Sequence, residues 1–206
     1  AKSRFPGVPV FVLDESMGGA VVLTALAGPG SLLSSQVDGV ILAAPAVWSR
    51  ADMPISYRVA LYLAAHLVPG LVLTNSAASR VVTIVPSDNI EMLRALARDP
   101  LFQKKTRTDT LFGLVNLMDE ARTAPARITR APPILMLYGA HDQIIPAAPT
   151  KAVIAALGGK ADVRRYPNGY HMLFRDLDGR TVQKDTADWV LEHAGQQKRE
   201  LAVISP

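Results

Sequence analysis

Short apolar runs bounded by glycine, proline or polar residues constrain the fold of this chain more than any other feature. Four such runs have the length of a strand, at residues 8–13, 37–44, 134–138 and 162–166. Segments with helical character follow three of them, at residues 18–27, 147–157 and 182–193. Strands that alternate with helices pair in parallel and carry helices on both faces of the sheet. The sequence therefore predicts an α/β fold with a mostly parallel sheet flanked by helices.

The segment 48–130 interrupts this alternation, because its pattern is helical throughout and contains no buried strand. Three helices are predicted in it, at residues 57–68, 88–98 and 111–121. The second of them is expected to begin with Asp88 as its N-cap residue, since a glutamate follows three residues later. We therefore predict a core made of residues 1–47 and 131–206, with 48–130 inserted as a helical cap or lid.

Three large side chains lie within or beside the first helix of this cap, Met53, Tyr57 and Tyr62. An apolar stripe at helical spacing is typical of a packed interior, although it can also form a lipid-binding face. We interpret these residues as the interior of the cap.

The composition excludes several classes of protein. The chain has 206 residues, of which 49% are hydrophobic and 19% charged, as in folded globular proteins and unlike disordered ones. The net charge is +4, but the basic residues are scattered and no aromatic platform accompanies them, so we expect no nucleic-acid partner. The longest apolar stretch, 59–73, is interrupted by His66, Pro69 and Gly70 and is too short to span a bilayer. Weak attraction to anionic lipid remains open.

The first candidate for chemistry is a serine at the corner between a predicted strand and a predicted helix. The corner reads Asp14-Glu-Ser-Met-Gly-Gly19. A nucleophile elbow of the form G-x-S-x-G places its serine at such a corner, with the hydroxyl lifted clear of the sheet. Ser16 is therefore a candidate nucleophile, and the backbone N–H of Met17 at the start of the helix is a candidate oxyanion donor.

Two further residues follow later strands at the same edge of the sheet. Asp142 comes after the third strand and His171 after the fourth, and ligands gather at the carboxyl edge of open α/β sheets. A serine hydroxyl needs a base, which His171 can supply while Asp142 orients its ring. The order Ser16, Asp142, His171 is the order that α/β-hydrolases use. No metal-ligand spacing occurs in the sequence, and we predict neither a metal nor a cofactor.

Five motifs together resemble those of one protein family. They are Ser16-Met-Gly-Gly19, Ala44-Pro45, Arg98-Asp-Pro-Leu101, Gly139-Ala-His-Asp142 and Gly169-Tyr-His171. As a set they resemble the monoacylglycerol lipase/lysophospholipase branch of the α/β-hydrolases, also called serine-aminopeptidase-like hydrolases, and the resemblance extends over residues 5–193. It implies Ser16 as nucleophile, Asp142 as acid and His171 as base. It also implies that residues 48–130 form a lid over an acyl-chain pocket.

The resemblance predicts a serine hydrolase that cleaves lipid-like monoacyl esters, of the monoacylglycerol or lysophospholipid type, through an acyl-serine intermediate. The expected partner is a small acyl ester, with peripheral contact of the lid with a lipid surface as a further expectation. The oligomeric state is left open. So is the compartment, for which a cytoplasmic or membrane-peripheral location is the working assumption.

The sequence departs from the family pattern in two ways. Asp14 stands where the elbow motif has glycine, and a larger charged side chain there is expected to crowd the contact between strand and helix. The family fold also has strands before the elbow strand, together with a His-Gly loop that supplies the second oxyanion donor. We therefore interpret the chain as the C-terminal part of a hydrolase fold, with the second oxyanion donor absent and the elbow strand at an open edge.

Two alternatives follow from these departures. The chain could be an inactive fragment or pseudo-hydrolase that serves as an interaction module. Alternatively, a strand ending in Asp14 resembles the haloacid-dehalogenase type of phosphatase, which uses an aspartate nucleophile with magnesium. That group normally has a second aspartate where Ser16 stands, and it leaves His171 without a role.

Overall fold

The computed structural model describes residues 1–28, 31, 33–74 and 84–204, with side chains described up to residue 195. In chain order its strands are β1 Phe11–Glu15, β2 Gly39–Ala43, β3 Val72–Thr74, β4 Lys105–Arg107, β5 Ile134–Gly139 and β6 Ala161–Tyr166. Its helices are α1 Met17–Ala27, α2 Leu33–Gln36, α3 Ile55–Leu67, α4 Ile90–Arg98, α5 Thr108–Thr123, α6 Ala147–Leu157 and α7 Gly179–Ile204.

Four strands form one parallel sheet in the order β1-β2-β5-β6. β2 and β5 occupy its centre, and all but one of their residues are buried, as their continuous apolar runs predict. β1 lies at one edge of this described sheet and β6 at the other. The predicted α/β fold with a mostly parallel sheet flanked by helices is confirmed.

The side chains of β2 alternate between two hydrophobic layers. Val40 and Leu42 pack with α1, α5 and α6 on one face, while Ile41 and Ala43 pack with Trp189 of α7 on the other. Both faces of the central strands are therefore covered by helices. This rigid support holds the carboxyl ends of the strands, where the candidate residues lie.

The segment between β2 and β5 is not helical throughout, contrary to the sequence prediction. Strands β3 and β4 pair antiparallel as a two-stranded ribbon beside the helices. Each strand has only three residues and most of them are exposed, so neither produces the apolar run by which a buried strand is recognised. The third predicted helix, α5, packs against α1, and its Val115 and Met118 join the core.

Asn89, and not Asp88, is the N-cap residue of α4. The Asn89 side chain accepts a hydrogen bond from the backbone N–H of Met92 at 3.0 Å. Asp88 instead accepts one from the backbone N–H of Leu177 at 2.8 Å, far away in sequence. Both residue types are good N-caps, so the choice between neighbours depends on a tertiary contact that the local pattern does not contain.

The first cap helix is more exposed than its apolar sequence predicts. α3 contains no buried residue, and Tyr57 and Tyr62 each expose more than half of their surface. The interpretation as cap interior is therefore wrong for the two tyrosines, whereas Met53 is half-buried and packs against the core. One side of the helix faces a cavity, described below, and the other faces solvent. None of the helices among the described residues is both long and apolar enough to cross a membrane.

Candidate active site

Ser16 occupies a strained turn between β1 and α1. Its backbone angles are φ 53° and ψ −115°, and a positive φ is uncommon for a residue other than glycine. The turn is attached to the end of β2, because the Ser16 N–H donates to the carbonyl of Ala43 at 3.0 Å and the Ser16 carbonyl accepts from the N–H of Ala46 at 2.8 Å. The serine therefore lies at the carboxyl edge of the sheet, at the N-terminus of α1.

Two glycines allow the helix to begin this close to the sheet. A Cβ atom at Gly19 would lie 2.8 Å from Cβ of Pro45, which follows β2. A Cβ atom at Gly18 would collide with Oδ1 of Asp14. The aspartate side chain thus occupies space that the absent Cβ of Gly18 leaves free, and this explains how the elbow accommodates a residue larger than glycine at position 14.

Met17 is the first residue of α1. The first N–H groups of a helix have no partner within the helix, and the helix dipole makes that end attractive to negative charge. This position suits the predicted oxyanion donor.

Asp142 and His171 form a buried hydrogen-bonded pair. Nδ1 of His171 lies 2.8 Å from Oδ2 of Asp142, and the two side chains are only 7% and 6% exposed. Because an ionised carboxylate can only accept, the proton of this bond belongs to Nδ1, and Nε2 is left as a potential base. Oδ1 of Asp142 accepts from the backbone N–H groups of Ile144 and Ile145 at 2.8 and 2.9 Å, which fixes the carboxylate.

The loops that carry this pair touch through two glycines. A Cβ atom at Gly139 would collide with the carbonyl group of Gly169. The backbones are joined there, because the N–H of His141 donates to the carbonyl of Gly169 at 2.9 Å and that of Ala140 to the carbonyl of Tyr166 at the same distance. The glycines at the start of the two motifs therefore allow the approach that places Asp142 against His171.

The three predicted residues are not all joined by hydrogen bonds. Asp142 and His171 are paired, whereas the Ser16 hydroxyl makes no hydrogen bond to a side chain or backbone group within the described part of the chain. Catalytic hydrogen bonds are often long or unformed before substrate binds, so this geometry is compatible with a catalytic role.

Asp176 and Ser87 hold the histidine loop and were not predicted from the sequence. The Asp176 carboxylate accepts from the Ser87 hydroxyl at 2.6 Å and from the backbone N–H of Tyr170, the neighbour of His171, at 2.7 Å. Burial raises the pKa of Asp176, and the two hydrogen bonds oppose that shift. On the other side of His171, the N–H of Met172 donates to the carbonyl of Pro86 at 3.0 Å. The segment that precedes α4 therefore binds Met172 directly and Tyr170 through Asp176.

Ser16 and Met17 line a cavity of about 880 Å³ between the sheet edge and the inserted segment. Its walls are almost entirely apolar, and they include Trp48, Tyr57, Leu61, Leu114, Val115 and Met118. Ligand pockets of roughly 300–1,000 Å³ with apolar walls and a few polar groups are typical of small-molecule sites. The candidate nucleophile thus opens onto a space suited to an apolar group.

Residues 1–178 match the model of the protein family described as serine aminopeptidase. The chain belongs to this family. The matched region includes Ser16, Asp142 and His171.

Curated relatives agree with this assignment. The chain is 26% identical over 196 residues to a monoacylglycerol lipase of Mycolicibacterium smegmatis, a match that covers 94% of this chain and 66% of the relative. It is 29% identical over 175 residues to human monoglyceride lipase, covering 84% of this chain and 54% of the relative. The chain thus spans between about half and two thirds of the length of these relatives.

Solved structures give the same fold. The monoacylglycerol lipase of Paleococcus ferrophilus superposes with a TM-score of 0.71 at 22% identity, covering 91% of this chain and 70% of that one. A soluble variant of Saccharomyces cerevisiae monoglyceride lipase also gives 0.71, at 17% identity, covering 93% and 68%. The predicted resemblance to the monoacylglycerol lipase-like branch of the α/β-hydrolases is confirmed, and these relatives do not favour the phosphatase alternative.

The contact between Gly139 and Gly169 predicts a sharp effect of one added methyl group. Gly139→Ala should destabilise the protein by about 1–3 kcal/mol or more, because backbone atoms on both loops have to move. Chemical denaturation of the full-length protein measures this change. The matched control is Gly113→Ala in α5, where a Cβ atom meets nothing within 4 Å, and which should be neutral or slightly stabilising. Equal effects of the two substitutions would contradict this account of the loops.

Asp14 and Gly18 should be energetically coupled. Gly18→Ala is expected to destabilise the protein by about 1–3 kcal/mol, and by clearly less when Asp14→Gly is also present, because the colliding carboxyl group is then gone. Denaturation of the two single variants and the double variant gives the coupling free energy. Additive effects would show that the Asp14 side chain does not need the space that the missing Cβ of Gly18 leaves free.

Proposed function

We propose that this chain carries the catalytic residues of a serine hydrolase that cleaves lipid-like monoacyl esters, of the monoacylglycerol or lysophospholipid type. The observation that carries the proposal is the position of Ser16, which lies in a strained turn and opens onto the apolar cavity. The buried Asp142–His171 pair at the same edge of the sheet supports it. So do the relatives, which are named as monoacylglycerol and monoglyceride lipases.

In the proposed reaction, Oγ of Ser16 attacks the carbonyl carbon of the ester while Nε2 of His171 takes the hydroxyl proton. Asp142 accepts the hydrogen bond from Nδ1 and stabilises the imidazolium that forms. The negative charge on the carbonyl oxygen is stabilised by the N–H of Met17 and by the positive end of α1.

The tetrahedral intermediate then collapses. The bond between the carbonyl carbon and the alcohol oxygen breaks, and Nε2 of His171 gives its proton to the leaving alcohol. Water, activated by the same nitrogen, attacks the acyl-Ser16 carbonyl and releases the fatty acid, which restores the serine hydroxyl.

The cavity favours an acyl chain as the group that is bound. Burying a methylene group contributes about 0.8 kcal/mol, so each methylene that enters an apolar pocket adds to affinity. The long side chains of α3 and α5 form much of its wall, as Leu61 and Met118 illustrate. We propose that residues 48–130 act as a lid over this pocket and that residues 1–47 and 131–206 form the catalytic core.

A fluorophosphonate probe tests the proposal on the full-length protein. Labelling is expected at Ser16, and Ser16→Ala should abolish both labelling and hydrolysis of monoacylglycerol. Asp142→Asn should lower kcat by about 10⁴, because it removes the acceptor that fixes the histidine tautomer. Peptide mapping and the release of fatty acid are the measurements.

Ser31→Ala is the matched control, since Ser31 lies beyond the far end of α1, and it should leave both readouts unchanged. A folded protein in which Ser16 is not labelled would contradict the proposal and support the interaction-module alternative. Magnesium-dependent turnover of a phosphate ester that is lost in Asp14→Gly would support the phosphatase alternative. Hydrolysis of an aminoacyl amide in preference to the ester would change the substrate class.

We also propose that the lid contacts an anionic lipid surface. Leu67 and Leu101 are 73% and 93% exposed, on parts of the lid that also carry the exposed cations Arg58, Lys104 and Lys105. Exposed apolar groups among cations are typical of peripheral membrane binding, since the cations attract anionic headgroups. Monoacyl substrates reside in such surfaces, so this contact would place the pocket close to them.

Binding to lipid should depend on these two leucines. Leu67→Ser with Leu101→Ser is expected to reduce cosedimentation with phosphatidylcholine–phosphatidylserine vesicles several-fold, without changing hydrolysis of a soluble short-chain ester. Leu191→Ser on α7, at an equally exposed leucine outside the lid, is the control and should bind like the unmodified protein. Unchanged binding of the lid variant would contradict the proposal.

A further inference from the structure

Glu15, the residue before the candidate nucleophile, carries an unusual half-buried carboxyl group. It is the last residue of β1, and its side chain lies on the same face of the sheet as Phe11, which packs against Trp189 of α7. Its Oε1 atom is buried and has no hydrogen-bond partner among the described residues. Buried polar atoms nearly always have a partner, so one without a partner calls for an explanation.

The charged groups near Glu15 come from the histidine loop and the turn that follows it. They are the ring of His171, the guanidinium of Arg175 and the carboxyl group of Asp176. Asp142 and Asp88 in turn lie near Asp176. Asp14, the neighbouring acid in the chain, lies on the opposite face of β1, against Gly18.

Glu15 differs from Asp176 in how its charge is compensated. Asp176 receives two hydrogen bonds, from Ser87 and from the N–H of Tyr170. Burial raises the pKa of Glu15, whereas the positive charges of His171 and Arg175 lower it. Burial outweighs the attraction of these groups, so the charge of the Glu15 carboxylate is incompletely compensated. The imidazolium of His171 is the positive charge that the proposed reaction creates.

We propose that Glu15 is a positioning residue that acts through His171, stabilising the protonated ring as the second carboxylate beside it, in addition to Asp142. This inference rests on the proposed function in one respect: the protonated ring has a role because it forms during ester cleavage. Glu15 touches no substrate and transfers no proton. Its carboxylate acts on the His171 ring electrostatically, without a hydrogen bond between them.

The test is the pH profile of the full-length Glu15→Gln variant, which keeps the size of the side chain and removes its charge. Without the carboxylate the imidazolium is less stable, so His171 should stay neutral to lower pH. The acid-side midpoint of kcat/KM is expected to move down by about one pH unit, and the plateau of kcat should fall several-fold because the base is weaker. Glu15→Asp, which keeps the charge, should restore most of the midpoint.

Glu192→Gln removes an exposed carboxyl group of α7 and should leave the profile unchanged. If ester hydrolysis is normal and the acid-side midpoint of Glu15→Gln equals that of the unmodified protein, the inference is overturned.

A second measurement separates this inference from the proposed function. The ring proton signals of His171 in the Ser16→Ala background report its protonation without any turnover. A midpoint that moves down with Glu15→Gln supports the inference even if the protein hydrolyses no ester. A midpoint that does not move overturns it, whatever the enzyme does.

Glu15→Met, which places an uncharged side chain of similar length at this position, provides a further check if Glu15→Gln does not fold. The midpoint of the His171 ring signals in the Ser16→Ala background should again move down. An unchanged midpoint overturns the inference.

Stability should change in the opposite direction to activity. Because the folded state raises the pKa of Glu15 above the usual 4.5, the folded state holds more protons than the unfolded state between these two values. Stability contributed at this site is present below pH 4.5 and is lost as pH rises through the folded-state pKa. The Tm of the Glu15→Gln variant should therefore exceed that of the unmodified protein above this pH range, and the two should differ little below it. A lower Tm at neutral pH would indicate a merely structural carboxyl group.

Discussion

The close approach of the loops after β5 and β6 is the contact on which the site depends. Gly139 and Gly169 touch backbone to backbone, and the hydrogen bond from His141 to the Gly169 carbonyl joins the loops. Asp142 and His171 follow these glycines by a few residues, so their pairing is a direct result of the contact. Any side chain at this place would separate an acid from a base that have to lie within 3 Å of each other.

The parts of the site that could be predicted are those in which local pattern and tertiary position coincide. Central strands buried on both faces are apolar at nearly every position, and the chemistry in a parallel sheet gathers at its carboxyl edge. Asp142 follows such a central strand, whereas Ser16 and His171 follow the strands β1 and β6 on either side of the central pair. Their order along the chain was therefore enough to propose that they act together, although the sequence did not indicate which of them are in contact without substrate.

Other features could not be predicted because they depend on contacts between distant segments. Asp88 and Asn89 are equally good caps by themselves, and the N–H of Leu177 determines which of them is used. Asp176 has no local signal, since its role comes from Ser87, which is 89 residues away. The apolar stripe of α3 gives a wrong prediction for its tyrosines for a related reason. A helix that lines a cavity on one side and faces solvent on the other has the same periodicity as one that packs into a core.

The two acidic residues before Ser16 illustrate how the alternation of a strand separates neighbours. Asp14 lies on the α1 face, where the missing Cβ of Gly18 makes space for it, so its effect is on packing at the start of the helix. Glu15 lies on the α7 face, beside the turn that carries His171, so its effect is electrostatic. The same short sequence thus has two independent consequences, one for packing in the turn at Ser16 and one for His171, the proposed base. The two effects can be altered separately, because no described contact joins the two carboxyl groups.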